Sequence, residues 1–126
     1  MWISTHTQRQ VFHPLASMHY DLGVSRVFDR TYISDENSER WAYPGMVLAV
    51  NNDGNLVPWN AAASYGAGSD TAVGMLINLL DLNYGNSTAT YVWHAKLKQN
   101  VCYVYGGALG TIPAAVKTAL DDIEWV

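Results

Sequence analysis

Histidine, cysteine, serine and carboxylate side chains are the groups that could bind a metal ion or carry out catalysis in this chain. The four histidines are His6, His13, His19 and His94. The first three follow one another at spacings of seven and six, which match no pattern of metal ligands on a helix or a strand. We therefore expect these histidines to lie on the surface or at an interface, and we expect no metal site.

The candidate nucleophiles and carboxylates form no catalytic arrangement either. Cys102 lies between Val101 and Tyr103 in a predicted strand, where a thiol is typically buried and unreactive. No serine occupies a Gly-x-Ser-x-Gly elbow, and the adjacent residues Asp121 and Asp122 would point in different directions on a helix. Because no nucleophile, base and orienting group come together, the sequence predicts a non-enzymatic protein with no catalytic residues and no cofactor.

The composition narrows the class of partner. Charged residues make up 14% of the 126 residues, whereas the chain holds five Trp and eight Tyr. Few charges with many aromatic residues favour a large contact surface with other protein, although a tightly packed monomer with an aromatic core would have a similar composition. The net charge of −4 and the lack of a Lys/Arg cluster predict no direct binding to nucleic acid.

The sequence shows no clear signal for a membrane span, a signal peptide or an internal disulfide. No apolar run approaches the roughly 20 residues that a membrane-spanning helix needs, and the first residues lack the basic start and apolar run of a signal peptide. We expect no membrane association and a protein that stays in the compartment where it is made. The single cysteine cannot form an internal disulfide, so stability must come from packing and from partners.

The N-terminal third of the chain lacks a sustained strand or helix period. Apolar side chains occur singly or in pairs, and Pro14 interrupts any helix. We interpret residues 1–40 as an N-terminal arm with its connecting segment, although edge strands of the same domain remain an alternative and residues 20–33 could contain a strand. The arm side chains expected to bind a partner are Trp2, Ile3, Val11, Phe12 and Leu15.

Residues 41–126 have the pattern of a compact β domain. An apolar strand is predicted over residues 46–50, and a second strand over residues 56–59. Asp53-Gly54 lies between them and is a strong hairpin signal, because both residue types tolerate the positive φ of a tight turn. Residues 73–82 form the longest apolar run, which predicts a buried strand or a helix of the same length.

The end of the chain changes from strand to helix periodicity. Residues 90–98 alternate, with Tyr91, Trp93, Ala95 and Leu97 on one face and Val92, His94, Lys96 and Lys98 on the other, as in a half-buried strand. Residues 100–105 predict a further strand. From residue 112 to 123, apolar residues recur at spacings of three and four, which predicts an amphipathic helix of about three turns. Thr111 is the expected cap, with Pro113 in the first turn.

These patterns predict a mainly β fold, a small barrel or sandwich, with one C-terminal amphipathic α-helix and an extended N-terminal arm. In the order of their predicted elements and in residue composition, residues 44–126 resemble the lambda-type head decoration proteins of tailed bacteriophages. The resemblance begins at Pro44-Gly45-Met46-Val47-Leu48-Ala49 and is sharpest at Ala72-Val73-Gly74-Met75-Leu76, which matches the Ala-Val-Gly-x-Leu element of that family. It continues through Asp81, the alternating strand, Lys98-Gln99-Asn100-Val101, the helix and an apolar tail.

The resemblance implies a β-tulip domain and a structural role. Proteins of this family are cement proteins, which sit as trimers on the outer surface of the phage head and stabilise the capsid against internal DNA pressure. The implied partners are the major capsid protein, reached by the N-terminal arm, and two further copies of the chain. The implied location is the outer capsid surface of the virion. We expect Leu97, Val101 and Tyr103, on the later strands, to form the trimer interface.

Two other functions stay open at this point. The first is another phage virion module, such as a tail-tube or tail-fibre domain, but the hairpin around Asp53-Gly54 is too short to pair with neighbouring tube subunits. The second is a β-barrel that binds a carbohydrate or small molecule. Its aromatic stacking platforms would be Trp41, Trp59 and Trp93.

Overall fold

The computed structural model describes residues 13–126, which form a mainly β structure with a single short C-terminal α-helix. The strands are β1 (Asp21–Leu22), β2 (Arg26–Phe28), β3 (Trp41–Ala42), β4 (Val47–Val50), β5 (Leu56–Pro58), β6 (Ala72–Leu76), β7 (Leu80–Asp81), β8 (Ser87–Ala89), β9 (Tyr91–Leu97) and β10 (Ile123–Trp125), and the helix is α1 (Ala114–Ala119). The prediction of a mainly β fold with one C-terminal helix is confirmed.

Eight of the strands form one curled, half-barrel sheet. The strand order is β1-β9-β6-β4-β5-β2-β8, and β10 pairs with β9 as well, in the parallel direction. Strands β3 and β7 form a separate two-stranded ribbon. The helix α1 has six residues, and no helix within residues 13–126 has the length and apolar character of a membrane span.

The hairpin β4–β5 lies at the centre of the sheet and is confirmed as predicted. Its strands pair antiparallel, with Val50 opposite Leu56. The amide of Gly54 donates to the carbonyl of Asn51 at 3.0 Å, and Gly54 has a φ of 82°, which glycine adopts without steric cost. The turn therefore uses the positive φ that the Asp53-Gly54 sequence predicted.

The core has two parts, one on each face of the central strands. Alternate residues of β4 point to opposite faces, so that Val47 and Ala49 join one cluster while Met46 and Leu48 join the other. The helix-side cluster also contains Val57, Trp59, Ala72, Met75, Val92, Ala95, Leu97, Cys102, Ile112, Val116, Leu120 and Ile123. The ribbon-side cluster also contains Phe28, Ile33, Ala42, Tyr43, Leu56, Leu76, Leu80, Leu82, Ala89, Tyr91 and Tyr103. Burial on both faces explains the continuous apolar sequence of β4.

Close packing explains the glycine of the Ala-Val-Gly-x-Leu element. A Cβ atom at Gly74 would lie 2.5 Å from the carbonyl oxygen of Val92 and even closer to the ring of Tyr91. The same ring covers Gly23 at the end of β1. Tyr91 therefore lies across two strands whose glycines leave room for it.

The predicted alternation of residues 90–98 is wrong in its first half. Val92 is fully buried, whereas Trp93 is 40% exposed, the reverse of the expected faces. Leu22 pairs with Val92, and its neighbour in β1, Asp21, pairs with His94. Trp93 is therefore an extra residue of β9 between two consecutive pairs. This β-bulge shifts the phase of the strand, and it places Val92 in the same cluster as Ala95 and Leu97.

Two C-terminal predictions are also wrong. Residues 99–101 form a turn of 3-10 helix instead of a strand, and within residues 100–105 the only β pairing is the isolated bridge of Tyr103 with Met46. The helix is shorter than three turns, and Pro113 occupies its N-cap position without any side-chain cap from Thr111. The predicted helix extended to Ile123, but this residue belongs to β10 and pairs with Ala95.

The long apolar run is divided between two sheets. Residues 72–76 form β6 in the large sheet, and residues 80–81 form β7 in the ribbon. The strand interpretation of this run holds for its first half, and the helix of similar length does not form. Residues 77–79 connect the strand in the large sheet to the strand in the ribbon.

The described part of the N-terminal region packs against the β domain. Residues 14–22 run antiparallel along β9, and residues 26–28 form β2 between β5 and β8. Phe28 and Ile33 are buried in the ribbon-side cluster. Strands within residues 20–33 were an open possibility from the sequence, and the structure shows that this segment contributes to the core.

Candidate functional site

The residues expected to form the partner-binding arm divide into two groups. Trp2, Ile3, Val11 and Phe12 lie outside the described residues. Leu15 is described, and it forms an antiparallel bridge with Leu97 while packing against the helix-side cluster. Its side chain is thus partly covered by its own domain.

The residues expected at the trimer interface lie in the core of one chain. Leu97, Val101 and Tyr103 expose 0%, 9% and 3% of their surfaces. The hydroxyl of Tyr103 also donates to the carbonyl oxygen of Tyr43 at 2.9 Å, in a buried position. Side chains with this degree of burial offer no surface to a second copy, because the fold of one chain already covers them. A contact between copies has to use other residues.

Exposed apolar side chains gather at the β1 edge of the sheet. Strand β1 is the terminal strand there, and five large side chains in or beside it are open to solvent. We call this group the edge patch; its members are Met18 (86% exposed), Tyr20 (37%), Leu22 (49%), Val24 (69%) and Trp93 (40%). Several exposed large apolar side chains at one edge of a sheet typically mark a site of contact with another macromolecule.

The bulge in β9 builds the centre of the edge patch. It turns Trp93 outwards, and the indole Nε1 donates to the carbonyl oxygen of Leu22 at 3.2 Å. Beside it, Nδ1 of His94 lies 2.8 Å from Oδ2 of Asp21, which joins the same two strands through exposed side chains. The alternating sequence placed Trp93 on the same face as Ala95, so the pattern alone did not indicate an exposed indole.

A second concave surface lies at the ribbon side of the domain. It has a volume of about 200 Å³ and combines acidic with aromatic side chains. We call it the acidic pocket; it is lined by Ile33, Ser34, Asp35, Glu36, Glu39, Trp41, Tyr43, Met46, Tyr103 and Tyr105. The hydroxyl of Tyr105 accepts a hydrogen bond from the amide of Ser34 at 2.8 Å. This bond joins the Tyr105 side of the pocket to the segment that carries the acidic residues.

A tight turn forms the acidic rim of this pocket. Glu36 and Glu39 face each other as an antiparallel bridge, and each amide donates to the other's carbonyl oxygen. Asn37 and Ser38 between them have φ angles of 52° and 63°, as a two-residue hairpin turn requires. Next to the turn, Nε of Arg40 lies 2.7 Å from Oδ1 of Asp35. The local sequence therefore holds three carboxylates at one rim.

Reactive chemistry is not visible in the described residues. Within residues 13–126, no three His, Cys, Asp or Glu side chains are grouped so that they could hold a metal ion. Burial raises the pKa of Cys102 to about 12, and its Sγ donates to the carbonyl oxygen of Lys98 at 3.3 Å. At neutral pH this thiol stays protonated, so it is a packing residue and a poor nucleophile.

The three tryptophans suggested as stacking platforms do not share a site. Trp41 lines the acidic pocket, and Trp93 belongs to the edge patch. Trp59 is 4% exposed in the helix-side cluster, where its Nε1 donates to the carbonyl oxygen of Asp70 at 2.9 Å. The three tryptophans therefore do not form one common stacking surface.

Comparison with known proteins adds no assignment to this geometry. No protein-family model matches the chain, and no curated protein matches its sequence. The function has to be inferred from the edge patch, the acidic pocket and the sequence pattern themselves.

Proposed function

We propose that this chain is a structural virion protein, a decoration protein that binds the outer surface of a tailed-phage head as a trimer and stabilises the capsid. The observation that carries the proposal is the edge patch, a group of exposed apolar side chains at the terminal strand β1 of the large sheet. The resemblance of residues 44–126 to lambda-type decoration proteins supplies the identity of the partner. The proposal includes a β-tulip fold, an N-terminal arm and a role without enzymatic activity.

The edge patch has the properties of a protein-docking surface. Burial of exposed apolar side chains contributes about 25 cal/mol per Å² of apolar surface removed from water. Within residues 13–126, the terminal strand β1 pairs only with β9, so its other side could receive a strand from a partner. Main-chain hydrogen bonds from strand addition and apolar anchors such as Trp93 would then act together.

A protein bound in this way would strengthen a capsid by linkage. A clip that binds the closed junction between capsid proteins, and not the separated one, stabilises the closed state by its binding free energy. Three copies around one axis gain further through effective concentration. The mainly β half-barrel with one short helix supports the β-tulip assignment at the level of fold class.

The test requires phage heads, and the first step is to establish whether the neighbouring gene encodes a major capsid protein from which such heads can be made. Purified protein is mixed with undecorated, expanded heads, and the bound fraction is measured by sedimentation and located by electron microscopy. The test variant is Met18→Ser/Val24→Ser, which makes the edge patch polar at its two most exposed positions. The matched control is Tyr84→Ser/Leu109→Ser, which removes two exposed apolar side chains elsewhere.

We expect saturable binding with three copies around each local three-fold axis. The edge-patch variant should weaken binding at least about tenfold, which corresponds to about 1.4 kcal/mol, whereas the control variant should bind like the unmodified protein. The proposal is contradicted if the protein does not bind heads or if it decorates the tail. Equal binding by both variants would exclude the edge patch as the docking surface.

A further inference from the structure

The main chain of Leu22 faces away from the sheet at the β1 edge. Leu22 pairs with Val92, and the amide of the next residue, Gly23, donates to the carbonyl oxygen of Tyr91 at 2.8 Å. In an antiparallel ladder this pattern marks a non-hydrogen-bonded pair, so the N–H and C=O of Leu22 both point outwards. The indole Nε1 of Trp93 donates to that outward carbonyl oxygen. The acceptor on this edge is therefore already occupied by a side chain of the same protein.

Leu15 has the same position further along the edge. It lies opposite Leu97, and the amide of Ala16 donates to the carbonyl oxygen of Lys96 at 2.8 Å, so the N–H and C=O of Leu15 also point away from β9. The outward amide of Leu15 donates to Nδ1 of His13 at 3.3 Å. A side chain thus caps one outward main-chain group at each of the two positions.

The chain bends between these two positions. The amide of His19 donates to Oγ of Ser17 at 3.1 Å, a local bond that competes with a regular ladder. Leu15 and Leu22 are seven residues apart, whereas outward groups recur at every second residue of a straight strand. A straight strand from another molecule therefore cannot pair with both positions, and Leu22 is the one that belongs to a strand.

We propose that these side-chain hydrogen bonds, the edge caps, guard the β1 edge against pairing with the β1 edge of a second copy. Without the caps, Leu22 of two copies would face each other across a two-fold axis, because each presents the outward N–H and C=O that an antiparallel hydrogen-bonded pair requires. The exposed apolar side chains of the edge patch would favour this contact. The indole of Trp93 opposes it by occupying the acceptor, and a strand of any other protein must also replace this indole.

Sedimentation velocity of the purified full-length protein over a range of concentrations tests the guard. It needs no phage heads, so the result is independent of the proposed capsid function. The test variant is Trp93→Phe, which keeps an apolar ring at the edge and removes the donor to Leu22. The matched control is Trp125→Phe, which makes the same change on β10 and leaves the β1 edge intact.

A second variant, Trp93→Phe/Leu22→Pro, separates strand pairing from contact between apolar side chains. Proline removes the outward N–H of Leu22 and costs no bond to β9, because that N–H faces away from β9. Two copies of this variant can still bring their apolar side chains together, but they can no longer form the pair of main-chain hydrogen bonds at Leu22.

The Trp93→Phe protein should dimerise with an association constant at least about tenfold larger than that of the unmodified and Trp125→Phe proteins, because a dimer breaks two caps, one in each copy. The added proline should return the association constant to the unmodified value. Hydrogen exchange of the Leu22 amide in the Trp93→Phe protein should slow as the protein concentration rises. This measurement replaces the proline variant if circular dichroism shows that the proline variant is unfolded.

Two outcomes overturn the proposal. Association of the Trp93→Phe protein that is no stronger than that of the unmodified protein would show that the indole does not guard the edge. Association that is equally strong with and without the proline, or exchange of the Leu22 amide that does not depend on protein concentration, would show that the copies do not join through paired strands.

Discussion

The indole Nε1 of Trp93 donates a hydrogen bond to the carbonyl oxygen of Leu22 at 3.2 Å, across the boundary between β9 and the terminal strand β1. The contact holds a large exposed aromatic ring in one orientation on the sheet edge. A side chain that is already ordered loses less conformational entropy when a partner covers it. The bulge in β9 and this hydrogen bond therefore prepare Trp93 to act as an anchor.

Replacement of Trp93 should weaken binding to heads more than it affects the fold. Trp93→Ala removes the anchor and should cost about 2 kcal/mol or more of binding free energy, as for an interface hot spot. Trp93→Phe keeps an apolar ring but loses the bond to Leu22, so an intermediate loss is expected. Both variants should unfold near the transition temperature of the unmodified protein. Sedimentation with heads and thermal circular dichroism measure the two quantities, and equal head binding by all three proteins would contradict the anchor role.

Leu97 should behave as a core residue and not as an interface residue. Its side chain is fully buried in the helix-side cluster, so Leu97→Ala leaves a cavity and should lower the free energy of unfolding by about 2–5 kcal/mol. Leu109→Ala, at a residue that is 50% exposed, is the matched control and should change it by less than about 0.5 kcal/mol. Urea denaturation of the two variants checks both values. A small effect of Leu97→Ala would mean that its packing is not as tight as the structure indicates.

The central hairpin was predictable because local signals and tertiary packing agree there. The apolar run of β4 and the Asp53-Gly54 turn specify two short strands. Burial on both faces of these strands stabilises the same arrangement. The later elements depend on distant partners. Ile123 fits a helix period, but it leaves the helix because it pairs with Ala95 of β9. Trp93 changes face because residues 21–22 pair with β9 around a bulge, and no local pattern contains that information.

The candidate sites were predictable only in part for the same reason. The sequence showed isolated apolar residues such as Met18 and Tyr20 among polar ones, which indicated a partner but not a surface. Their grouping with Trp93 requires that residues 14–22 lie along β9. The acidic pocket brings Glu36 and Tyr105 together from distant positions in the chain, so composition could indicate its acids but not its aromatic walls.

Cys102 should make the protein less stable at high pH. The unfolded thiol has a pKa near its ordinary value of 9.0, whereas burial raises the pKa in the folded state to about 12. Between these values the unfolded chain releases a proton that the folded chain keeps, so the free energy of unfolding falls as the pH rises, by up to about 1.4 kcal/mol per pH unit. Below pH 9 the thiol is protonated in both states, so the contribution of Cys102 to the free energy of unfolding is fully present.

The variant Cys102→Ala isolates this effect from the titration of tyrosines and lysines. Its free energy of unfolding should fall less steeply than that of the unmodified protein above pH 9, and the difference between the two proteins should be constant below that pH. Urea denaturation at a series of pH values measures both. A thiol reagent at pH 8 should modify the native protein only after unfolding. Rapid modification of the native protein would show that Cys102 is accessible, and would remove the basis of the prediction.

Two N-terminal deletions should separate the arm from the fold. Removal of residues 1–12 takes away Trp2, Ile3, Val11 and Phe12 but keeps the hydrogen bonds of residues 14 and 16 to β9. This variant should keep its circular dichroism and lose most of its binding to heads, because the arm anchors are gone. Removal of residues 1–20 also deletes the packing of Leu15 on the helix-side cluster and should cost about 2 kcal/mol of stability in addition.

Co-sedimentation with undecorated heads and heat-induced release of DNA compare the two deletions with the full chain. If the arm acts as the clamp, both deletions fail to protect heads, and only the longer one unfolds at a lower temperature. If the chain without residues 1–12 binds and protects heads as well as the full chain, the anchors lie in the described domain, and the edge patch alone has to account for binding. If that chain instead unfolds at a markedly lower temperature, residues 1–12 contribute to the stability of their own domain, and the loss of head binding cannot be assigned to the arm anchors alone.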